Sequence, residues 1–257
     1  MGITINIVKI GGSVITDKSK PFSLRHDVIK NIAREIGLAY NKCKSRIVLI
    51  HGGGSFGHYV VDEHGGLDTM ESILQTIWYM RELNMIFTDY LHYYNIPGVP
   101  MDTHSIAFID NGKLEINIKP IRKAINNNFI PILYGDIVFT DDIPTILSGD
   151  EIAWYLAKEL RPSRLLFATS VRGIYDRDPS IEGAKLLNLI SLKEIKDIDI
   201  GKSHGYDVTG GMKKKLLLGT LYACEGILEV IVFSGLEKGN IFKAICGYSV
   251  EGTRIML

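Results

Sequence analysis

The sequence predicts an α/β protein: a three-layer αβα sandwich with a mainly parallel central sheet and attached antiparallel hairpins. Three observations predict it. Apolar runs of strand length alternate with segments of helical periodicity along most of the chain. Two of the strands run directly into glycine-rich loops, Lys9-Ile10-Gly11-Gly12-Ser13 and His51-Gly52-Gly53-Gly54-Ser55-Phe56-Gly57-His58. The alternation breaks once, between Met101 and Leu147, where two hairpin signals appear.

Taken in order, Ile5 to Ile10 is a strand, and Asp27 to Tyr40 carries apolar residues at Val28, Ile32, Ile36 and Leu38-Ala39, a helical pattern. Arg46 to Ile50 is a second strand. Glu71 to Tyr94 is one or two helices rich in large apolar and aromatic side chains. Ser105 to Asp110 and Lys113 to Ile118 flank Asn111-Gly112, a hairpin turn. Ile137 to Thr140 and Pro144 to Leu147 flank Asp141-Asp142, a second one. These ribbons are placed to form a lid. Phe129 to Tyr134 is a strand, Gly149 to Leu160 a helix, Arg164 to Ala168 a strand, Gly211 to Cys224 a helix and Leu228 to Phe233 a strand. No Pro/Ser-rich linker separates the halves. The chain is expected to be one domain over 1–257, with lobes of roughly 1–160 and 161–257 divided by a cleft.

The bulk numbers exclude several classes. Twenty-nine basic and 29 acidic residues give a formal charge of zero, which disfavours nucleic acid and anionic membrane surfaces as partners. No apolar run approaches the ~20 residues of a membrane span. The chain opens with strand-like Ile3 to Val8, without a signal-peptide layout. Cys43, Cys224 and Cys246 match no zinc spacing and are expected to be free packing thiols in a reducing compartment, so the expected location is cytoplasmic.

The glycine loop at 52–57 fits several patterns. Gly52, Gly54 and Gly57 have dinucleotide-binding spacing, but no acidic residue ends a second strand about 20 residues later. Gly53-Gly54-Ser55-Phe56-Gly57 matches a nucleophile elbow, and His51-Gly52-Gly53-Gly54 an oxyanion loop. In hydrolases those are two different loops, whereas here they share residues. The remaining pattern is a phosphate cradle: backbone N–H groups exposed where no Cβ blocks approach, with a helix start behind them. Two such cradles suggest two phosphorylated ligands. Lys9, flanked by Val8 and Ile10, costs desolvation unless it points into a polar cleft. A third glycine pair, Gly210-Gly211, opens the helix that carries Lys215, one turn on and on the same side as Gly211. The spacing from Gly205 to Gly210 suits a Walker loop, but Gly211-Met212 stands where Lys-Ser/Thr is required.

The ordered set Lys9-x-Gly11-Gly12-Ser13, His51-Gly52-Gly53-Gly54, Leu147-Ser148-Gly149-Asp150 and Gly210-Gly211-Met212-x-x-Lys215 resembles the amino acid kinase superfamily along the whole chain. Within it, Gly11 to Lys18 and His51 to His58 resemble the isopentenyl phosphate kinases, His58 being the discriminating residue. The resemblance implies ATP-dependent phosphorylation of isopentenyl phosphate to its diphosphate. By that resemblance Gly11, Gly12, Ser13 and Gly54 hold ATP phosphates. Lys9 and Lys215 contact the transferring and β-phosphates, with Gly211 at the same helix start. Lys18 stabilises transition-state charge. Gly53, His58 and Gly149 hold the acceptor phosphate, and Asp150 orients the lysines. Ser170, Tyr175 and Asp176 line the nucleotide. Mg2+ arrives with ATP, bound by phosphate oxygens and water. The other histidines, apart from a loop-fixing His51, are expected at the surface or in packing. The tail pocket is expected among Ile73, Leu74, Ile77, Trp78, Met80, Ile86 and Phe87, with Ile137, Phe139 and Ile146 from the second hairpin. A homodimer is expected from related kinases. The alternatives are a fosfomycin kinase, an amino-acid or uridylate kinase, and a nucleotide-sensing module without chemistry.

Overall fold

A computed structural model describes residues 4–63, 66–67, 69–193, 212–223, 225–227 and 229–257, and of residues 58, 60–63 and 213–215 the backbone alone. In chain order the elements are β1 (Ile5–Ile10), α1 (Gly12–Ile15), α2 (His26–Cys43), β2 (Arg46–His51), α3 (Gly54–Glu63), α4 (Met70–Tyr93), β3 (Gly98–Pro100), β4 (Ala107–Asp110), β5 (Lys113–Ile116), α5 (Ile118–Asn126), β6 (Ile130–Tyr134), β7 (Asp136–Val138), β8 (Thr145–Leu147), α6 (Gly149–Leu160), β9 (Arg164–Thr169), β10 (Leu189–Ser191), α7 (Met212–Tyr222), β11 (Glu229–Ser234), α8 (Asn240–Cys246) and β12 (Gly252–Met256). A short 3-10 turn, Thr103–Ser105, precedes β4.

Eight strands form one sheet in the order β10-β12-β11-β9-β1-β2-β6-β3. Every neighbouring pair is parallel except β11 with β12. Both faces are covered, so the central strands are mainly apolar, with Asn6 and Lys9 of β1 as buried exceptions. Ile7 of β1, Val48 and Ile50 of β2 and Leu165 and Phe167 of β9 face α5, α6 and α7. Val8 and Ile10, Ile47 and Leu49, and Leu166 and Ala168 face α2, α4 and α8. The period-2 alternation of side chains sorts them between the two helical layers.

Local signals set the element ends. In α2 the buried residues Ile29, Ile32, Ala33, Ile36 and Ala39 fall on one helical stripe, and Lys44 in left-handed geometry (φ 50°) ends the helix. Thr69 and Ser72 cap α4 reciprocally, and α4 is one helix. Asn111 and Gly112 both have positive φ (49° and 73°), as a two-residue hairpin turn requires. The second hairpin pairs β7 with β8. The second strand of the first hairpin, expected over Lys113 to Ile118, ends at Ile116. Asn117 accepts a hydrogen bond from Lys119 N (3.2 Å) and starts α5, which buries Ile121 and Ile125.

A further expectation is overturned. Cys43 and Cys246 are joined as a disulfide between the ends of α2 and α8, with Cα atoms 5.5 Å apart, so they are not free packing thiols. This removes the thiol part of the argument for a reducing compartment. Cys224 lies outside the described residues.

Residues before 161 supply β1-β2-β6-β3 and residues after it supply β9 to β12. The halves of the sheet meet at the β1–β9 pair. The first strand of the chain is therefore central, and connections leave it in opposite directions. In parallel sheets such a switch point is where ligands bind, outside the carboxyl ends of the strands.

Candidate active site

The loops after β1, β2, β6 and β9 leave the sheet at one level, because Ile10 is in register with His51 and Ala168, and His51 with Tyr134. Main-chain hydrogen bonds tie them: Gly11 N donates to Ala168 O (2.8 Å), Gly52 N to Ile10 O (3.0 Å) and Gly135 N to His51 O (3.0 Å). Between the loops after β1 and β9, Ser13 Oγ lies 3.3 Å from Ser170 Oγ.

The glycines pack on one another. A Cβ on Gly12 would collide with the backbone nitrogen of Gly54, and Gly54 has φ +52° with its missing Cβ directed at Gly12 O and the Thr16 hydroxyl. A Cβ on Gly149 would lie 3.0 Å from His51 O, and one on Gly135 3.0 Å from Gly149 N. Only side-chain-free residues allow these loops to come this close, and close approach brings their amides into one crevice. Thr16 latches two of them. Its buried hydroxyl donates to Gly12 O (2.9 Å) and accepts from Ser55 N (2.9 Å) near the start of α3.

Lys9 is 5 % exposed, and its Nζ lies 2.9 Å from Asp150 Oδ1. Asp150 sits in the first turn of α6, whose start is fixed by Ser148 Oγ accepting from Glu151 N (3.2 Å). A helix N-terminus favours both the carboxylate and a bound anion. Residue 9 faces the α6 layer by strand alternation, so the ammonium the sequence flagged as costly meets a carboxylate from that layer.

His51 points to the opposite layer and is fully buried. Its ring stacks on Tyr134 (centroids 5.6 Å, 16°) and lies 5.7 Å from Phe87. Burial pushes its pKa down to about 4, so the imidazole is neutral at pH 7. A neutral ring with Nδ1–H toward Gly52 O (3.2 Å) needs a donor at Nε2. Asn84 Nδ2, otherwise unpartnered and buried, supplies it once that amide turns over. His51 thus fixes the loop, as its position in the sequence suggested.

Beside it lies a cluster the sequence reading missed. Tyr134 Oη donates to Asp102 Oδ1 (2.8 Å), Arg81 pairs with Asp102 (3.5 Å), and His104 Nδ1 lies 2.7 Å from Asp136 Oδ2. Asp136 also accepts from Ile137 N (2.9 Å). His104 is therefore an ion-pair partner and not a surface or packing residue. Its hydrogen bond to the Asp136 carboxylate raises its pKa, and burial raises that of Asp136. His26 bonds Tyr90 Oη and His92 bonds Gly98 O.

The remaining candidates are placed as follows. Lys18 is half-buried in the turn after the Thr16 bridge. Gly53 contacts α4, where a Cβ would meet Met80 Sδ at 2.8 Å, and Gly57 meets the same sulfur. Tyr175 bridges to Leu186, and Asp176 Oδ1 accepts from Lys185 N (2.9 Å), closing the loop after β9. That hydrogen bond lowers the Asp176 pKa. His58 lies on α3 and Lys215 on α7, with their side chains outside the described residues, as is Gly211. Of the tail-pocket candidates, Met80, Phe87 and Ile137 are buried and Ile73, Ile77, Ile86 and Ile146 half-buried. Leu74, Trp78 and Phe139 are exposed and do not line an enclosed pocket as the chain stands. Among the described residues, no group of His, Cys, Asp and Glu is arranged to hold a metal ion.

The sequence model of the amino acid kinase family matches residues 4–234. The chain belongs to the amino acid kinase family. Among this family's members it is similar to isopentenyl phosphate kinase of Methanocaldococcus jannaschii, with 34 % identity over 265 aligned positions and 98 % of each chain covered. It is 32 % identical to isopentenyl phosphate kinase of Methanothermobacter thermautotrophicus, covering 97 % of this chain and 98 % of that one. In three dimensions it resembles a crystal structure of isopentenyl phosphate kinase (TM-score 0.81, 29 % identity, 98 % of this chain and 100 % of that one). It also resembles a substrate complex of isopentenyl phosphate kinase (TM-score 0.79, 26 % identity, 99 % and 100 % covered).

Proposed function

We propose that the chain is an isopentenyl phosphate kinase, transferring the ATP γ-phosphoryl group to isopentenyl phosphate and releasing isopentenyl diphosphate and ADP. The observation that carries this reading is the convergence of the Gly12, Gly54 and Gly149 loops around the buried Lys9–Asp150 pair. The full-length similarity to isopentenyl phosphate kinases supports it. Fosfomycin kinase, the alternative weighed from sequence, has no comparable support among these relatives.

The chemistry needs no catalytic base. A phosphate monoester with a second pKa near ~6 is already a dianionic nucleophile at neutral pH. The barrier is bringing it against another polyanion, so catalysis is positioning and charge neutralisation. Gly11, Gly12, Ser13 and Gly54 cradle the ATP phosphates. Lys9 and Lys215 neutralise the transferring and β-phosphates, and Lys18 the charge of the transition state. Gly53, His58 and Gly149 hold the acceptor phosphate, and Ser170, Tyr175, Asp176 and Gly211 border the nucleotide. Asp150 keeps the Lys9 ammonium aimed into the crevice. Mg2+ would be held by ATP phosphate oxygens and water rather than by a carboxylate cage of the chain, and would supply shielding of phosphate charge.

In this reading the half of the sheet before residue 161 binds the acceptor and the half after it the nucleotide. ATP as co-substrate favours a cytoplasmic site of action. A homodimer would cover the exposed apolar side chains of α4, Met70, Leu74 and Trp78. The deciding experiment is ADP release with isopentenyl phosphate, dimethylallyl phosphate, fosfomycin and uridylate in parallel. Turnover with isopentenyl phosphate should exceed that with fosfomycin or uridylate by at least about a hundredfold, ~2.7 kcal/mol of transition-state discrimination. Preference for either of those two refutes the assignment.

A further inference from the structure

Helix α8 is fastened to the first half of the chain at both ends. At its start, the buried Glu35 carboxylate of α2 accepts from Gly239 N (2.6 Å) and Phe242 N (3.2 Å). At its end, Asn6 Nδ2 of β1 donates to Ile245 O (2.9 Å), and the next residue, Cys246, is joined to Cys43, the last residue of α2. The two helices therefore run in the same direction, with 35–43 alongside 239–246. Each fastening crosses the β1–β9 seam between the halves of the sheet. Cys43 stands just before β2, at the amino ends of the strands, whereas the glycine loops leave the carboxyl ends. A six-residue strand separates those ends by about 20 Å.

We propose that Cys43 and Cys246 form a reversible cystine clasp that locks the two halves of the sheet together at the end remote from the crevice. The thiol–disulfide balance of the surroundings then sets the stability of the fold. The oxidant is itself a disulfide, of a small thiol or of a dithiol protein. One cysteine thiolate attacks it, forms a mixed disulfide and releases the first thiol. The other cysteine thiolate attacks the mixed disulfide, closing the Cys43–Cys246 bond and releasing the second. Two electrons pass to the oxidant, and the two protons lost by the cysteines end on its two thiols. Both cysteines are half-buried, so the reaction does not require global unfolding. The bond closes a loop of 203 residues, and restraint of the unfolded chain grows with loop length.

The test uses the full chain, equilibrated either with oxidised glutathione or with dithiothreitol. It is then denatured and blocked with N-ethylmaleimide. One adduct is expected on the oxidised protein and three on the reduced, with a peptide linking Cys43 to Cys246 in the oxidised digest. The oxidised form should melt about 5–15 °C higher, and amide exchange in α8 should slow. C43S/C246S should melt like the reduced protein and ignore the oxidant. If that variant does not fold, the two redox forms of the unaltered sequence still decide. Three adducts after oxidation, a link through Cys224, equal melting of the two forms, or unchanged exchange in α8 would each overturn the proposal.

Discussion

The Lys9–Asp150 pair can be taken apart so that its structural and chemical roles separate. Asp150→Ala removes the carboxylate 2.9 Å from an ammonium that is only 5 % exposed. Breaking a buried pair from one side costs about 3–5 kcal/mol, because a charge is left in low dielectric. At roughly 2–4 °C per kcal/mol for a chain of this length, melting should fall by about 6–20 °C. Lys9→Met should cost a similar amount, by removing the ammonium from beside the buried Asp150 carboxylate. The double variant Lys9→Met/Asp150→Leu removes both charges at similar volume. Such replacements are often neutral or stabilising by ~1–4 kcal/mol, so the double variant should melt at or above the parent. Activity should not follow stability. An ammonium aimed at developing phosphate charge is worth about 2.7–4 kcal/mol, so the double variant should remain at least a hundredfold slower in ADP release. Thermal melts and steady-state kinetics on the four proteins complete the cycle. Near-parental turnover by the stable double variant would refute the role given to Lys9. A double variant that melts like either single would refute the argument from the broken pair.

Other expectations follow from the same geometry. Thr16→Val keeps the shape but removes the hydroxyl between Gly12 O and Ser55 N; it should cost about 1–3 kcal/mol in denaturant unfolding and raise the KM for ATP more than that for the acceptor. Gly12→Ala places a methyl group against the Gly54 backbone and should reduce kcat/KM by at least about a hundredfold, ~2.7 kcal/mol, in a protein whose circular dichroism is unchanged. The His51 pKa near 4 lies below the unfolded value of 6.5, so the unfolded chain binds the extra proton between them. Stability is then whole above pH 6.5 and falls by up to about 3 kcal/mol as pH drops to 4, a limb that His51→Gln should flatten in pH-dependent melts. His58→Ala should leave ATP binding by calorimetry nearly intact and slow turnover a hundredfold or more, the worth of a charged hydrogen bond of ~2.7–4 kcal/mol; an equal loss of ATP affinity would contradict its assignment to the acceptor.

How far the sequence revealed this depends on the kind of signal. Lys9 was legible because a lysine inside an apolar strand costs desolvation unless it points into a polar cleft; that a buried carboxylate meets it there was not. Asp150 was legible only through the family resemblance of Leu147-Ser148-Gly149-Asp150; its place in the first turn of α6, behind the Ser148 cap, came with the structure. The glycine loops were legible as cradles, since so many residues without Cβ are needed only where backbones nearly touch. Thr16 was not, because nothing local distinguishes a latching hydroxyl from any other threonine. His104 and Asp136 meet across 32 residues and two elements, with neither periodicity nor motif to announce it. Helix α5 was hidden by the hairpin signal immediately before it, although Asn117 is an ordinary cap. Cys43 and Cys246 pair over 203 positions, a distance at which spacing is uninformative and only the packing of α8 on α2 decides.

The central place of β1 has a consequence for how the chain is made. Its first edge finds β2 within some forty residues, but the other stays open until β9 emerges from the ribosome, more than 150 residues later. For that interval a nascent apolar strand exposes an unpaired edge, a template for misassociation between chains. The segment from α2 to α6 is therefore synthesised against an unfinished sheet. Slowing translation before residue 169 should lengthen its dependence on chaperones, whereas the same pause after β9 should have little effect.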